Sequence, residues 1–181
     1  MKDEAKIFLT DYTSYNSGSQ FEFGHWVDLS DFDSAEELNE YINNHFKECD
    51  EKSPLDSPRE EIMITDFEGF PDAFYSESMS FEPLYEFFER AEYCGYSENV
   101  INAFVSIGTY SVKDVAAFFD ALEESYAGEF TSEEAFAEDM AEQTGTEIPN
   151  TWPLNCIDWT LAAREIMYDY SEHDGHFFRD R

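Results

Sequence analysis

The stretch Ser34-Ala35-Glu36-Glu37-Leu38-Asn39-Glu40-Tyr41-Ile42-Asn43-Asn44-His45-Phe46 decides how the first part of the chain folds. Ser34 followed three residues later by Glu37 is a capping box, in which a hydroxyl and a carboxylate satisfy the orphan amides of a helix start. Leu38, Tyr41, Ile42, His45 and Phe46 then recur at the i, i+3, i+4, i+7, i+8 spacing of one buried helical face. On either side lie strand-like runs, Lys6-Ile7-Phe8-Leu9-Thr10 and Glu61-Ile62-Met63-Ile64-Thr65, which alternate and are rich in β-branched and aromatic residues. Trp26-Val27-Asp28-Leu29 reads as a third strand, with Trp26 in the core, after a loop holding Gly18 and Gly24. Residues 48–60, with Pro54 and Pro58, read as a loop. A helix among three strands makes residues 1–71 an α/β unit.

Working outward, Leu84, Phe87, Phe88 and Ala91 form an apolar helical stripe, and a second short helix is predicted from about Glu98 to Ile107. Residues 72–109 therefore read as a helical segment with a thin core of its own. Ser111-Val112-Lys113-Asp114 repeats the capping pattern ahead of Val115, Ala116, Phe119 and Leu122. A short strand around Tyr126–Phe130 follows. Thr131-Ser132-Glu133-Glu134 caps a helix through Ala135, Phe136 and Met140 that ends near Gly145. Pro149 and Pro153 mark a turn, and Trp159, Ala162, Ala163, Ile166, Met167 and Tyr170 keep a helical stripe over three turns. Asp174-Gly175 suggests a terminal hairpin. Residues 110–181 thus form a second α/β segment, and the fold class expected is α+β in three small subdomains.

Charge narrows the function. The chain of 181 residues has 42 Asp and Glu against 10 Lys and Arg, a formal net charge of −32 and a pI near 4.1. Nucleic-acid binding needs cationic contacts to phosphate, so it is excluded as the main activity. Docking on an anionic membrane is excluded on the same ground. There is no run of 18 apolar residues to span a bilayer, and no apolar segment follows Met1-Lys2-Asp3-Glu4 to suggest a secretory signal. The odd, scattered Cys49, Cys94 and Cys156 suit a reducing cytoplasm. High charge also warns of disorder, but 18 Phe, 11 Tyr and 3 Trp are far more aromatics than disordered acidic chains carry. The charge is spread as −13 over residues 1–71, −6 over 72–109 and −13 over 110–181. This is a coat, not a tail.

The motifs of catalysis are missing. The chain has no glycine-rich phosphate loop, no Cys-x-x-Cys pair and no His-Glu-x-x-His helix. His45 and Cys49, and His173 and His176, have spacings a metal site uses, but His45 lies on the apolar stripe and the other pair flanks a predicted turn. Asp28, Asp31 and Asp33 lack the glycine and terminal Glu of a calcium loop. Among so many acids, a carboxylate pair has no specificity for glycosidase chemistry. No catalytic, cofactor or metal residue is assigned, and the protein is not read as an enzyme.

What remains is the acidic surface. Glu36, Glu37 and Glu40; Glu82, Glu86 and Glu89; Asp120, Glu123 and Glu124; and Glu133, Glu134, Glu138, Asp139 and Glu142 lie on the polar sides of predicted helices. An ordinary solvated helix interleaves Glu with Lys at i, i+4. Here the interleaving fails: from Asp114 to Ala163 there are 12 acids and no Lys or Arg. Crowding of this kind is expected to raise carboxylate pKa values. At one phosphate per 1.7 Å of duplex axis, 42 carboxylates correspond to about 70 Å of B-DNA. A compact chain of this length is only about 40 Å across. To imitate duplex phosphates, the molecule has to be elongated or carry its acids on several faces. Two other classes share the composition: an adaptor or chaperone for basic proteins, and a salt-adapted domain whose coat serves solubility.

The order of short motifs resembles one family. Tyr15-Asn16-Ser17-Gly18, Gly24-His25-Trp26-Val27-Asp28-Leu29, Asp66-Phe67-Glu68-Gly69-Phe70-Pro71 and Ser76-Glu77 come first. Tyr126-Ala127-Gly128-Glu129-Phe130, Ser132, Glu134, Phe136-Ala137, Gly145, Ile148-Pro149, Ile157-Asp158, Ala163-Arg164 and Gly175-His176-Phe177-Phe178-Arg179 follow. Together they resemble the ArdA-type antirestriction proteins of plasmids, phages and conjugative transposons. The one departure is Ser19–Phe23, five residues where the family usually has three. The resemblance implies a DNA mimic that occupies the DNA groove of type I restriction-modification enzymes, contacting their specificity and modification subunits in the bacterial cytoplasm. It further implies an elongated protein of three small domains, dimeric through the last, with no cofactor and no catalytic residue.

Overall fold

The computed structural model describes residues 1–145, 150–153 and 155–180. It is a mixed α+β protein. In chain order the elements are β1 (Lys6–Asp11), α1 (Tyr12–Ser17), α2 (Gln20–Phe23), β2 (His25–Asp28), α3 (Ala35–Lys52), β3 (Ile62–Glu68), α4 (Glu82–Tyr93), α5 (Glu98–Ile107), α6 (Val115–Ser125), β4 (Tyr126–Glu129), α7 (Glu133–Gln143), α8 (Trp159–Ile166), β5 (Tyr170–His173) and β6 (His176–Arg179). They fall into two compact units, Met1–Gly95 with Ser111–Phe118, and Tyr96–Tyr110 with Phe119 onward. Thus α4 has its core in the first unit and α5 in the second.

In the first unit β1 lies between β2 and β3, antiparallel to both. Ile7, Leu9 and Val27 are buried on the inner face of this sheet. Strand alternation then sends their neighbours to the other side. Trp26, expected in the core, is for this reason 40% exposed: Val27 takes the inward position and Trp26 the outward one. The segment with Gly18 and Gly24 is not a plain loop. The Asp11 carboxylate accepts the Ser14 N–H at 2.7 Å and starts α1 directly from the end of β1, and left-handed Gly18 (φ 76°) ends it.

Ser34 caps α3 as its spacing requires, accepting the Glu37 N–H at 3.2 Å. The Glu37 carboxylate reaches the Asp33 N–H at 2.7 Å, one residue before the cap. Leu38, Ile42 and Phe46 are buried, and the helix continues to Lys52, so the loop expected over 48–60 begins later. His45 is packed rather than solvated: its Nε2 lies 3.2 Å from the Phe23 carbonyl and its ring 4.3 Å from that of His25. His25 Nε2 is 2.7 Å from the Tyr41 hydroxyl. Burial, with His45 alongside, pushes the His25 pKa down.

After α3 the chain is clasped by Arg59, a buried cation. Its Nη1 donates to Asp50 at 2.6 Å, its Nε to Ser14 Oγ at 3.1 Å, and its backbone N–H to Asp50 at 3.0 Å. The guanidinium lies 4.1 Å from the Phe23 ring, and buried Asp11 is 3.9 Å from Nε. Further on, Phe87 of α4 packs 5.3 Å from Phe74 and 5.8 Å from Phe118 of α6. At Gly69 (φ 79°) a Cβ would run into the Glu4 carbonyl, so the close approach of the two segments needs glycine.

In the second unit β6 lies between β4 and β5, again antiparallel. Asp174 (φ 50°) and Gly175 (φ 80°) make the two-residue hairpin turn that the sequence signals. Phe136 of α7 stacks on Phe177 at 4.5 Å, and Phe104 of α5 packs 5.0 Å from Phe178. Two starts and stops differ from the spacing. Ser111 accepts only the Lys113 N–H, and Asp114 caps α6 by accepting the Ala117 N–H at 3.3 Å. The stripe from Trp159 breaks at Ile166, where the chain turns toward β5; Ala163 is buried while Trp159, Ala162, Ile166 and Met167 are half-buried. The strand Tyr126–Glu129 and the Ser132 cap lie where expected. Ile148 and Pro149 lie outside the described residues.

Removing one partner of a buried ion pair strands the other charge, at a cost of about 3–5 kcal/mol. Arg59→Met should lower unfolding free energy by about that much in urea titrations. A loss below about 1 kcal/mol would show that Arg59 is not the clasp.

Candidate partner-binding surface

Four helices carry the fourteen acids singled out from the sequence. In the first unit α3 presents Glu36, Glu37 and Glu40, and α4 presents Glu82, Glu86 and Glu89; all six are exposed. In the second unit α6 presents Asp120, Glu123 and Glu124, all exposed. On α7, Glu133, Glu138 and Glu142 are exposed, while Glu134 and Asp139 are half-buried. Each group therefore sits on the side of its helix opposite the buried stripe: Leu38, Ile42 and Phe46 on α3, Leu84, Phe87 and Phe88 on α4, Phe136 and Ala137 on α7. The structure places α3 and α4 in one unit and α6 (from Phe119) and α7 in the other.

Five cations are engaged away from these fourteen acids. Lys6 pairs with Glu68 at 2.8 Å, Lys52 with Glu48 at 2.8 Å, Arg59 with Asp50 at 2.6 Å, and Arg164 with Glu165 at 3.8 Å. Lys2 donates to the Phe32 carbonyl at 2.8 Å and lies 4.9 Å from the Tyr85 ring. These five cations engage carboxylates outside the fourteen or a backbone carbonyl.

Several acids also make local contacts that fix a helix start, a helix turn or, for Glu134, the neighbouring helix α8. Glu37 tethers Asp33, Asp139 accepts from Gln143 at 2.6 Å, and Glu134 accepts from Thr160 at 3.4 Å. Glu82 accepts the Ser80 hydroxyl. These contacts correct the expected direction of the carboxylate shifts. The Ser80 hydroxyl and its own N–H hold Glu82 below the usual carboxylate range. For Glu134 the first cause is its own backbone N–H, followed by the Ser132 hydroxyl. Glu48 is lowered by Lys52. Local donors outweigh the like-charge crowding at these positions. Burial, with Glu37 and Asp33 nearby, pushes the Tyr85 hydroxyl well above its usual range; it donates to the Leu29 carbonyl at 3.0 Å.

Among the described residues no three His, Cys, Asp or Glu side chains are grouped to hold a metal ion, and no helix is long and apolar enough to cross a membrane. His173 and His176 face each other across the hairpin register; His176 Nδ1 lies 3.2 Å from the Tyr126 hydroxyl, and His173 Nδ1 lies 3.4 Å from Asp174. The second unit also exposes apolar side chains near its end: Trp152 (81%), Ile157, Leu161 and Tyr168 (75%).

The chain is thus an α+β protein whose helices in both units carry exposed acids on their outer faces. A model of the antirestriction protein (ArdA) family matches residues 7–178, and the chain belongs to that family of restriction inhibitors. Its function is antirestriction, and its partners are restriction enzymes. No curated protein and no solved structure matches the chain.

Glu134 offers a direct check on the local electrostatics. Its depressed pKa means that the stabilisation it lends the folded state is present above its unfolded pKa and is lost as pH falls through the folded one. In an NMR titration its carboxyl midpoint should fall below 4.5, and Ser132→Ala should raise it toward 4.5 while costing about 1 kcal/mol through the lost α7 cap. A midpoint unmoved by Ser132→Ala would remove the hydroxyl from the account.

Proposed function

We propose that this protein blocks restriction as a mimic of duplex DNA, filling the groove that the specificity and modification subunits of type I restriction-modification enzymes present to DNA in the bacterial cytoplasm. One observation carries the reading: helices in both units show solvent a row of carboxylates. Along a single helix, acids at i, i+4 and i+7 give one charge per about 5–6 Å of rise. That is sparser than the duplex, so the acid-bearing helices have to act side by side. The three segments of similar charge per residue, 1–71, 72–109 and 110–181, each contribute in this reading.

Backbone mimicry also sets the specificity. Phosphate contacts supply affinity, whereas base edges supply sequence information. A protein that copies only the phosphates satisfies the cationic groove and ignores the recognition sequence. No catalytic step is needed, because occlusion is competitive. We further propose a homodimer joined through the C-terminal segment, where Trp152, Ile157, Leu161 and Tyr168 expose apolar surface.

Cleavage assays on two type I enzymes that read different sequences test this. Inhibition should be similar for both. Neutralising one exposed acid, such as Glu86→Gln, Glu133→Gln, Glu138→Gln or Glu142→Gln, should weaken inhibition less than about fivefold, and the four together by about thirtyfold. Strong dependence on the recognition sequence, or a quadruple variant as potent as the parent, would sink the proposal. In a pull-down, recovery of many unrelated basic proteins would favour the adaptor reading instead.

A further inference from the structure

The outer face of the first sheet holds a feature that charge mimicry does not use. Phe8 and Trp26 are direct cross-strand partners on β1 and β2, their rings 5.6 Å apart and edge to face. Phe21 of α2 stands over Phe8 at 6.2 Å and is 79% exposed. This placement is built into the backbone. At Gly24 a Cβ would collide with the Gln20 carbonyl and come within 2.9 Å of the Phe8 ring, so α2 folds back over Phe8 only with glycine there. Phe21 and Trp26 are exposed here with half-buried Phe8 between them, and a contiguous aromatic patch on one face calls for an occupant.

The surroundings say what that occupant is. Asp28 and Asp66 are exposed on the same face, opposite Lys6 and Phe8 in the strand register, and Glu22 is exposed beside Phe21. The face already holds one cation: Lys6 Nζ lies 5.1 Å from the Trp26 ring centroid and 2.8 Å from Glu68. A positive group between an indole and a carboxylate is thus the arrangement this surface stabilises in its own chain. A planar, weakly hydrated guanidinium fits rings better than an ammonium does, because it stacks while its edge donates to carboxylates.

We propose that Trp26 and Phe21, with Asp28 and Asp66, form a docking site for arginine side chains of a cationic protein partner. The proposal rests on the reading that the partner presents a basic groove, and it adds that arginine is selected over lysine there. A cation over an exposed ring gains roughly two- to fivefold in affinity, and the planar stacking that a guanidinium adds gives arginine its preference.

The test compares an arginine octapeptide with a lysine octapeptide by calorimetry at physiological salt. The parent protein should bind the arginine peptide several-fold more tightly. Phe21→Ala, at a position exposed enough to leave folding intact, should reduce that ratio, and Phe21→Ala with Trp26→Ala should bring it near one; melting curves identify any variant that fails to fold. Asp28→Asn with Asp66→Asn should weaken both peptides. A parent ratio near one, or a ratio that survives Phe21→Ala unchanged, overturns the proposal. So does loss of self-association in Phe21→Ala by sedimentation, which would make the face a contact between copies. The cleavage assay stays separate: inhibition by a parent that shows no arginine preference sinks this proposal alone, whereas an arginine preference without inhibition sinks the mimicry.

Discussion

Too few cations exist in this chain for ion pairing to hold it together, and the rest of the structure follows from that shortage. With 42 carboxylates and 10 Lys and Arg, most acids have no basic side chain to meet. Stability has to come from interactions indifferent to charge. Aromatic packing supplies them: Phe46, Phe87, Phe118, Phe136, Phe177 and Phe178 are all fully buried. Each such ring removes a large apolar area from water and adds edge or stacking contacts. Among the described residues Arg59 is the one deeply buried Lys or Arg, and it joins β1, α1 and the end of α3, where it meets Asp50, Ser14 and the ring of Phe23.

Hydrogen-bonded caps are the second charge-tolerant device. Ser34, Ser97, Ser132 and Asp158 each accept an N–H in the first turn of a helix. Acids follow these caps at Glu36, Glu37, Glu98, Glu133 and Glu134, where the positive end of the helix dipole offsets part of their mutual repulsion. The first turn of a helix is therefore where a carboxylate can be stacked most cheaply. Farther along, at Glu40, Glu86, Glu89, Glu138 and Glu142, that help is gone and the charges simply face water. The repulsion among them is an outlay the aromatic core covers.

Much of this was legible in the residues. Caps and apolar spacing located α3, α4, α5 and α7, and Asp174-Gly175 located the hairpin, because each depends on a few neighbouring residues. Trp26 was misplaced for a different reason. A strand alternates, and the choice between Trp26 and Val27 as the inward residue depends on register against β1, which no local pattern encodes. The short α1 escaped because six residues show no periodicity and its cap, Asp11, is also the last residue of a strand. Similarly, the stripe from Trp159 to Tyr170 looked continuous in one dimension, but the chain leaves the helix at Ile166 to pair as β5. The acidic surface was easier to read than the core, since an exposed face needs only the absence of partners along the sequence.

A lysine placed four residues after Glu138, in place of Glu142, would stabilise its helix by a few tenths of a kcal/mol, and such substitutions are simple to reach. Under the mimicry we propose, each would also cancel one of the charges that a cationic groove meets. Stability and function then pull in opposite directions at every exposed acid, and at none of the buried rings. The division of labour is consequently spatial: the fold is secured from within mainly by uncharged groups, which frees the outer faces of α3, α4, α6 and α7 to hold acids.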